Sequence, residues 1–250
     1  MAVRLSKRLA ALSELVTEGK RLADIGTDHG YIPIYLCLKD RIPSAIAMDI
    51  NGGPLKRARE HILEYGLCSR IETRLSDGLQ KLCPGEVDAI LIAGMGGGLV
   101  IKILSEGEQI MTGSEELILQ PQSEIPRVRR YLREHGFVIA DEDMVEEDDK
   151  FYPMMKVHKV SESMDAGDPA GSSMDGADKR YQEICENFGP VLLAKRHPVL
   201  LAWMKREQNV LQKIAQQLEK HPASEQIEIR RQEILSKQII LTEALDLLRK

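Results

Sequence analysis

Arg21-Leu22-Ala23-Asp24-Ile25-Gly26-Thr27-Asp28-His29-Gly30-Tyr31 is the stretch on which the fold turns. Leu22, Ala23 and Ile25 form a short apolar run with β character. Gly26 and Gly30 bracket a polar turn, and the apolar segment 32–38 follows. The pattern predicts a strand, a tight turn and a helix. A glycine at the end of a first strand lets a ligand approach the backbone with no Cβ in the way. The first turn of the helix behind it offers N–H groups without intrahelical partners. The turn is a candidate cradle for a small ligand; the plainer alternative is a simple bend in which Asp24 and Asp28 are cap residues.

The acids narrow the ligand. A dinucleotide site needs three glycines spaced G-x-G-x-x-G so that pyrophosphate can rest on the helix N-terminus. Here only Gly26 and Gly30 are present, flanked by Asp24 and Asp28, and two carboxylates repel a pyrophosphate while suiting a cation with an amino group. S-adenosylmethionine, with its sulfonium, ammonium and ribose, is such a ligand. Asp49 closes the apolar run 45–48, where a second strand would end, and its carboxylate can accept hydrogen bonds from both ribose hydroxyls.

Outward from this turn, strands and helices alternate. Helix 32–38, strand 44–50, helix 55–65 opened by Pro54, strand 71–75 and the continuous apolar strand 87–92 are expected in turn. After them come a helix to Leu104, strand 117–119 ending in Gln120-Pro121, helix 124–134, and strands 137–140 and 151–160. Leu5, Leu9, Leu12 and Leu15 at helical spacing predict an amphipathic helix ahead of the first strand. The alternation implies right-handed βαβ crossovers and an α/β, doubly wound sheet. The last two strands lack a helix between them, so one is expected to run antiparallel at the sheet edge.

Residues 161–178 are small and polar with almost nothing to bury, and read as a flexible acidic Ser/Gly linker. Beyond it, Met204, Leu211, Ile214 and Leu218 share one helical face. Ile227, Ile234, Gln238, Leu241, Leu245 and Leu248 resume at spacings of three and four after Pro222. Two helices joined near 221–224 form a coiled-coil hairpin. The expected organisation is a cofactor-binding domain over 1–160, the linker over 161–178 and the hairpin over 179–250.

Net charge is −5, but it is unevenly spread. Residues 1–140 carry 18 basic and 18 acidic side chains, 141–178 carry 3 and 12, and 179–250 carry 13 and 9. The acidity belongs to one stretch, and the basic C-terminal part can meet phosphates, although a solvated helical face accounts for the same charges. No apolar run reaches the roughly 18 residues of a membrane span, and the N-terminus has no signal-peptide core, so a soluble cytoplasmic protein is expected. The four cysteines and six histidines show no ligand-pair spacing, which implies neither a metal nor a disulfide framework.

At the end of the fourth strand stands Ala93-Gly94-Met95-Gly96-Gly97-Gly98. Enzymes that methylate the exocyclic amine of DNA adenine carry Asp or Asn, two prolines and an aromatic at this place. This loop has no carboxylate or amide side chain and offers open space and backbone groups to a flat base. It lacks the Lys and Ser/Thr of a phosphate loop.

Asp24 to Gly30 resembles motif I (Asp-x-Gly-x-x-x-Gly) of the Rossmann-like methyltransferases, and Asp49 their acidic second-strand motif. Together with Ile92 to Gly97, the Leu117 to Pro121 strand end, Gly136-Phe137 and the stretch Asp148 to Tyr152, these residues look like the bacterial TrmK family across nearly the whole chain. The resemblance implies a class I methyltransferase fold and transfer from S-adenosylmethionine to N1 of adenine 22 of tRNA. Its cofactor set would be Asp24, Gly26, Thr27, Asp28, Gly30, Asp49, Ile50, Asp77, Gly78, Ala93 and Gly94. Met95, Gly96, Gly97, Gln120, Pro121, Arg127 and Arg130 would face the substrate, and Asp28, His29 and Tyr31 would act on it. N1 of adenine has a free lone pair, so catalysis is mainly positioning. A carboxylate or histidine beside the base would balance its new charge or take the N6 proton. Arg4, Lys7, Arg8, Arg129, Arg133, Lys195, Arg196, Lys205 and Arg206 would add charge for the RNA body. The expected partner is tRNA, the expected state a monomer or weak dimer. The competing readings are a methyltransferase of another RNA base or a small molecule, and a non-catalytic RNA- or protein-binding module.

Overall fold

In the computed structural model, residues 3–160, 176–220 and 224–249 are described. The chain divides into two compact units, Met1–Gly167 and Asp168–Lys250.

The first unit is built on seven strands: β1 (Leu22–Ile25), β2 (Ala45–Asp49), β3 (Ile71–Leu75), β4 (Ala89–Met95), β5 (Glu116–Pro121), β6 (Phe137–Glu147) and β7 (Lys150–Lys159). Their order across the sheet is β3-β2-β1-β4-β5-β7-β6. The first five pair in parallel, and the order reverses between β1 and β4, the switch point beside which ligands bind in open α/β sheets. Helices α1 (Lys7–Leu15), α2 (Tyr31–Leu38), α3 (Gly52–Glu64), α4 (Gly97–Glu106), α5 (Glu108–Met111) and α6 (Ile125–Glu134) complete the unit. The short α5 has no counterpart in the sequence reading, being a single turn with too few residues to show a period.

Side chains alternate along each strand, so the sheet divides two cores. Ala23, Ile25, Ile46, Met48, Ile90 and Ile92 pack with Val100, Leu104, Val128 and Leu132 of α4 and α6. Leu22, Ala45, Ala47, Ala89 and Leu91 pack with Leu12, Leu15, Ile34, Leu36 and Ile62 of α1, α2 and α3. Each buried Leu, Ile, Val or Met among them contributes roughly 1.5–3 kcal/mol, and each alanine methyl less. By the same alternation Asp24 falls on the face covered by α1 and α2. Arg129 of α6 is an exception in its core: with a side chain 3% exposed, it donates to Glu142 of β6, which is 0% exposed.

β7 is the antiparallel strand, but it is not the edge strand expected from the sequence. It pairs with both β5 and β6, and β6 takes the edge. The cause is a tight hairpin: Asp148 and Asp149 both have positive φ, 50° and 58°, as the two-residue turn that matches strand twist requires. The second arm of that hairpin docks on β5.

The second unit holds α7 (Gly176–Phe188), α8 (Pro190–Ala194), α9 (Pro198–Glu219) and α10 (Glu225–Arg249). The stripe read from the sequence is buried at Met204, Leu211, Ile234, Leu241 and Leu245, and half-buried at Ile214, Leu218, Ile227, Gln238 and Leu248. Ahead of α9, Gly189 with φ 90° breaks the chain between α7 and α8, and Arg180 of α7 pairs with Glu243 of α10 at 2.6 Å. The expected linker lies outside the described residues over 161–175, while Gly176–Asp178 open α7; of the turn expected near 221–224, residues 221–223 are likewise outside them. Among the described residues no helix is long and apolar enough to cross a membrane.

Candidate active site

The turn after β1 closes on its neighbour strand. The N–H groups of Gly26 and Thr27 both donate to Met48 O, at 2.8 and 2.9 Å, and Gly30 N–H donates to Thr27 O at 3.0 Å. Gly26, Asp28 and Gly30 all have positive φ, 75°, 50° and 70°. At Gly26 the left-handed φ disfavours any side chain, and an added Cβ, 2.4 Å from Met95 Cε, would also push aside the end of that flexible methionine. Gly30 then starts α2 from the left-handed region.

Two acids sit behind this turn. Asp24 is 6% exposed and accepts a 2.6 Å hydrogen bond from Thr27 Oγ1. Burial pushes its carboxyl up from 3.8 to about 6, against the opposing bond from Thr27, and the charge of Asp49 adds to the rise. Among the described residues no Lys or Arg pairs with it. A buried acid in this state gains from a cation placed beside it. Asp49, 9% exposed, receives the Asn51 N–H on Oδ1 at 2.8 Å, and Ile50 next to it is an exposed apolar side chain. Asp77 and Gly78 follow β3; Asp77 lies 4.0 Å from Lys102 Nζ, and Gly78, at φ 54°, leaves room for Ile103.

A cavity of about 340 Å³ opens at the carboxyl ends of β1 and β4. Asp24 and the turn Gly26–His29 form one wall with Tyr31, and Ala93, Gly94 and Gln122 form another. Arg8 and Leu9 of α1 close it. A larger hollow, about 460 Å³, lies at the opposite, amino ends of β1 and β2 around Arg21, Ser44 and Cys68. Volume favours that hollow. The unpaired buried carboxylate, the left-handed turn and the switch point favour the smaller one, and they point to chemistry.

The glycine loop is only partly the open ledge expected from its sequence. Gly94 is exposed with φ 78°, beside an irregularity in the β4–β5 ladder between Ala93 and Met95. Gly96 is also exposed, and Met95 is half-buried. Gly97, however, is buried, and a Cβ there would lie 2.5 Å from Ser123 O. Its glycine serves close packing of α4 against the chain entering α6, not open space for a base. Gln120 is 0% exposed: its Oε1 accepts from Gly94 N–H (3.2 Å) and Arg8 Nη1 (3.1 Å), and its Nε2 donates to Pro121 O (3.3 Å). Gln120 and the buried Pro121 therefore shape the loop from behind. Arg127 and Arg130 are exposed on α6, and Arg127 donates to Glu124 Oε1 at 2.7 Å. The other carboxylate oxygen of Glu124 accepts from Gly98 N–H at 3.0 Å, which fills the α4 N-terminus.

His29 and Tyr31 stack at 5.2 Å between ring centroids, and a third ring joins them. His61 of α3 lies 5.5 Å from His29 and 5.4 Å from Tyr31, with its Nδ1 3.1 Å from His29 O. Because a carbonyl only accepts, Nδ1 of His61 carries the hydrogen. Asp28 is held by Arg57 Nη2 at 2.7 Å and lies 3.5 Å from His29 Nε2. Sequence reasoning missed His61, Arg57 and the inward place of Arg8, since residues some thirty to a hundred positions apart share no local period.

Residues 5–155 match the family described as Methyltransferase domain. The tRNA (adenine(22)-N(1))-methyltransferase of Bacillus subtilis is 35% identical over 244 residues, 98% of either chain. Streptococcus pneumoniae Sp1610, solved in complex with S-adenosyl-L-methionine, is 31% identical with a TM-score of 0.79, covering 97% of this chain and 100% of that one. M. capricolum TrmK, solved with S-adenosyl-homocysteine, is 25% identical with a TM-score of 0.77, covering 98% of this chain and 99% of that one.

Proposed function

This chain belongs to the TrmK family of tRNA (adenine(22)-N(1))-methyltransferases, and from that premise we propose that it methylates N1 of adenine 22 in cytoplasmic tRNA, using S-adenosylmethionine. The observation that carries this reading is Asp24, a buried acid without a cationic partner among the described residues, beside a glycine turn that excludes a Cβ and faces the Ala93–Gly94 loop. Those residues fit a donor with a positive charge, and Asp49 fits its ribose.

When bound, the donor supplies a methyl group on an electrophilic sulfonium. Asp24, Thr27 and the backbone of Gly26, Asp28, Gly30, Ala93 and Gly94 would orient its amino-acid end. Asp49, Ile50, Asp77 and Gly78, which lie outside the lining of that cavity, would hold the nucleoside end. N1 of adenine lies on the pairing edge, so a base that is paired or stacked must be turned out, at a cost of a few kcal/mol. Tyr31 and His29, which line the cavity, offer a ring face to that base, while Met95 and Gly96 lie outside its lining and Met95 packs beneath Gly26. The lone pair of N1 needs no prior deprotonation, so these groups act by placing it in line with the methyl. The transfer leaves the base cationic, and Asp28 stands by the ring stack to balance that charge. Gly97, Gln120 and Pro121 keep the loop in shape, and Arg127 and Arg130 meet RNA phosphates without reading sequence.

The test is transfer of labelled methyl to unmodified tRNA, with the modified nucleoside mapped. Label in 1-methyladenosine at position 22 is expected, together with its loss when adenine 22 is replaced by guanine. Equal incorporation into both transcripts would refute the assignment.

A further inference from the structure

By sequence Arg8 belongs with the cations expected to serve the RNA body, yet the fold turns it inward. It is half-buried on α1, and among the described residues it is the one lysine or arginine in the wall of the 340 Å³ cavity. Its Nη1 donates to the buried Gln120 Oε1 at 3.1 Å, and its Cζ lies 5.5 Å over the ring of Tyr152. Where Gly94 lacks a Cβ, that atom would stand 3.7 Å from Arg8 Nη1, so the guanidinium rests against the loop. Arg57 and Arg127 are paired with Asp28 and Glu124, but among the described residues Arg8 makes no ion pair. A guanidinium offers five N–H donors in a rigid fork matched to a carboxylate or phosphate.

We propose that Arg8 binds the α-carboxylate of the methyl donor's amino-acid tail. The choice between carboxylate and phosphate follows from the rest of the wall. Asp24, which has no cationic partner among the described residues, lines the same small cavity and repels a phosphodiester, whereas Asp28 there is already paired with Arg57. A zwitterionic α-amino acid presents an ammonium and a carboxylate on one carbon, and so matches a wall with carboxylates on one side and a guanidinium on the other. Gln120 and Tyr152 hold the fork in place before the ligand arrives, which reduces the ordering cost of binding. The inference rests on reading this cavity as the donor site.

The experiment is calorimetric titration of the full chain with S-adenosylmethionine, S-adenosylhomocysteine and decarboxylated S-adenosylmethionine, which keeps the sulfonium and amine and lacks the carboxylate. The wild-type chain is expected to bind the decarboxylated compound about ten- to a hundredfold more weakly than S-adenosylmethionine, the worth of a charge-assisted contact. Arg8→Met is expected to lose that factor for the two carboxylate ligands and to bind the decarboxylated one within about twofold of wild type, which also shows that the variant is folded. Arg8→Lys is expected to recover part of the loss. An equal loss for all three ligands would make Arg8 only a brace for Gln120 and overturn the proposal. Unchanged donor affinity with weaker, less salt-sensitive tRNA binding would make it a phosphate contact and overturn it as well. A wild-type chain that bound none of the three would instead fail the functional reading itself.

Discussion

Asp24→Asn should make the ligand-free protein more stable at neutral pH while weakening its hold on the donor. The folded-state pKa of Asp24 is about 6 against an ordinary 3.8, so between these values the folded chain holds a proton that the unfolded chain has lost. Stability falls with rising pH wherever the native state binds more protons. This group therefore carries no penalty below pH 3.8, a growing one up to about pH 6, and a constant one above. The difference of the two values corresponds to about 3 kcal/mol, an upper figure. Asparagine does not titrate, can still accept from Thr27 Oγ1, and escapes the penalty. Thermal melts of both proteins without ligand, from pH 4 to 8, are the assay; subtracting the curves cancels every other titrating group. At roughly 2–4 °C per kcal/mol the variant should melt several degrees above wild type at pH 8, with the gap closing toward pH 4. Affinity for S-adenosylmethionine at pH 8 should fall at least about tenfold, since a charge-assisted contact is lost. A variant that melts at or below the wild-type temperature at pH 8, or a gap that does not vary with pH, would refute the account of Asp24 as an acid held ready for a cation.

Two further outcomes follow from the packing. At Gly97 an added methyl meets a backbone oxygen at 2.5 Å, while at Gly98 it meets only the movable end of Glu124 at 3.1 Å. Gly97→Ala should therefore destabilise by about 1–3 kcal/mol in denaturant titration despite its helix-forming gain, and Gly98→Ala should be neutral or slightly stabilising. Arg129→Met removes an ion-pair partner of the fully buried Glu142 and should cost up to about 3–5 kcal/mol, read as a fall in Tm; the double variant Arg129→Met, Glu142→Leu should recover much of it.

The alternation of strands and helices, the Asp24–Gly30 turn between a strand and a helix, and the helical stripes of the second unit are legible in the residues alone. These rest on local signals: period, paired glycines, and the residue types that bracket them. The rest follows from packing. Only packing shows that β7 lies inside β6, that Gly97 yields space to Ser123 O instead of to a base, and that Gln120 faces inward to Gly94 and Arg8. Only packing lifts the carboxyl of Asp24, because desolvation depends on what covers a side chain, and the helix bearing Arg8 reaches the cavity from a part of the chain that no local period connects to it.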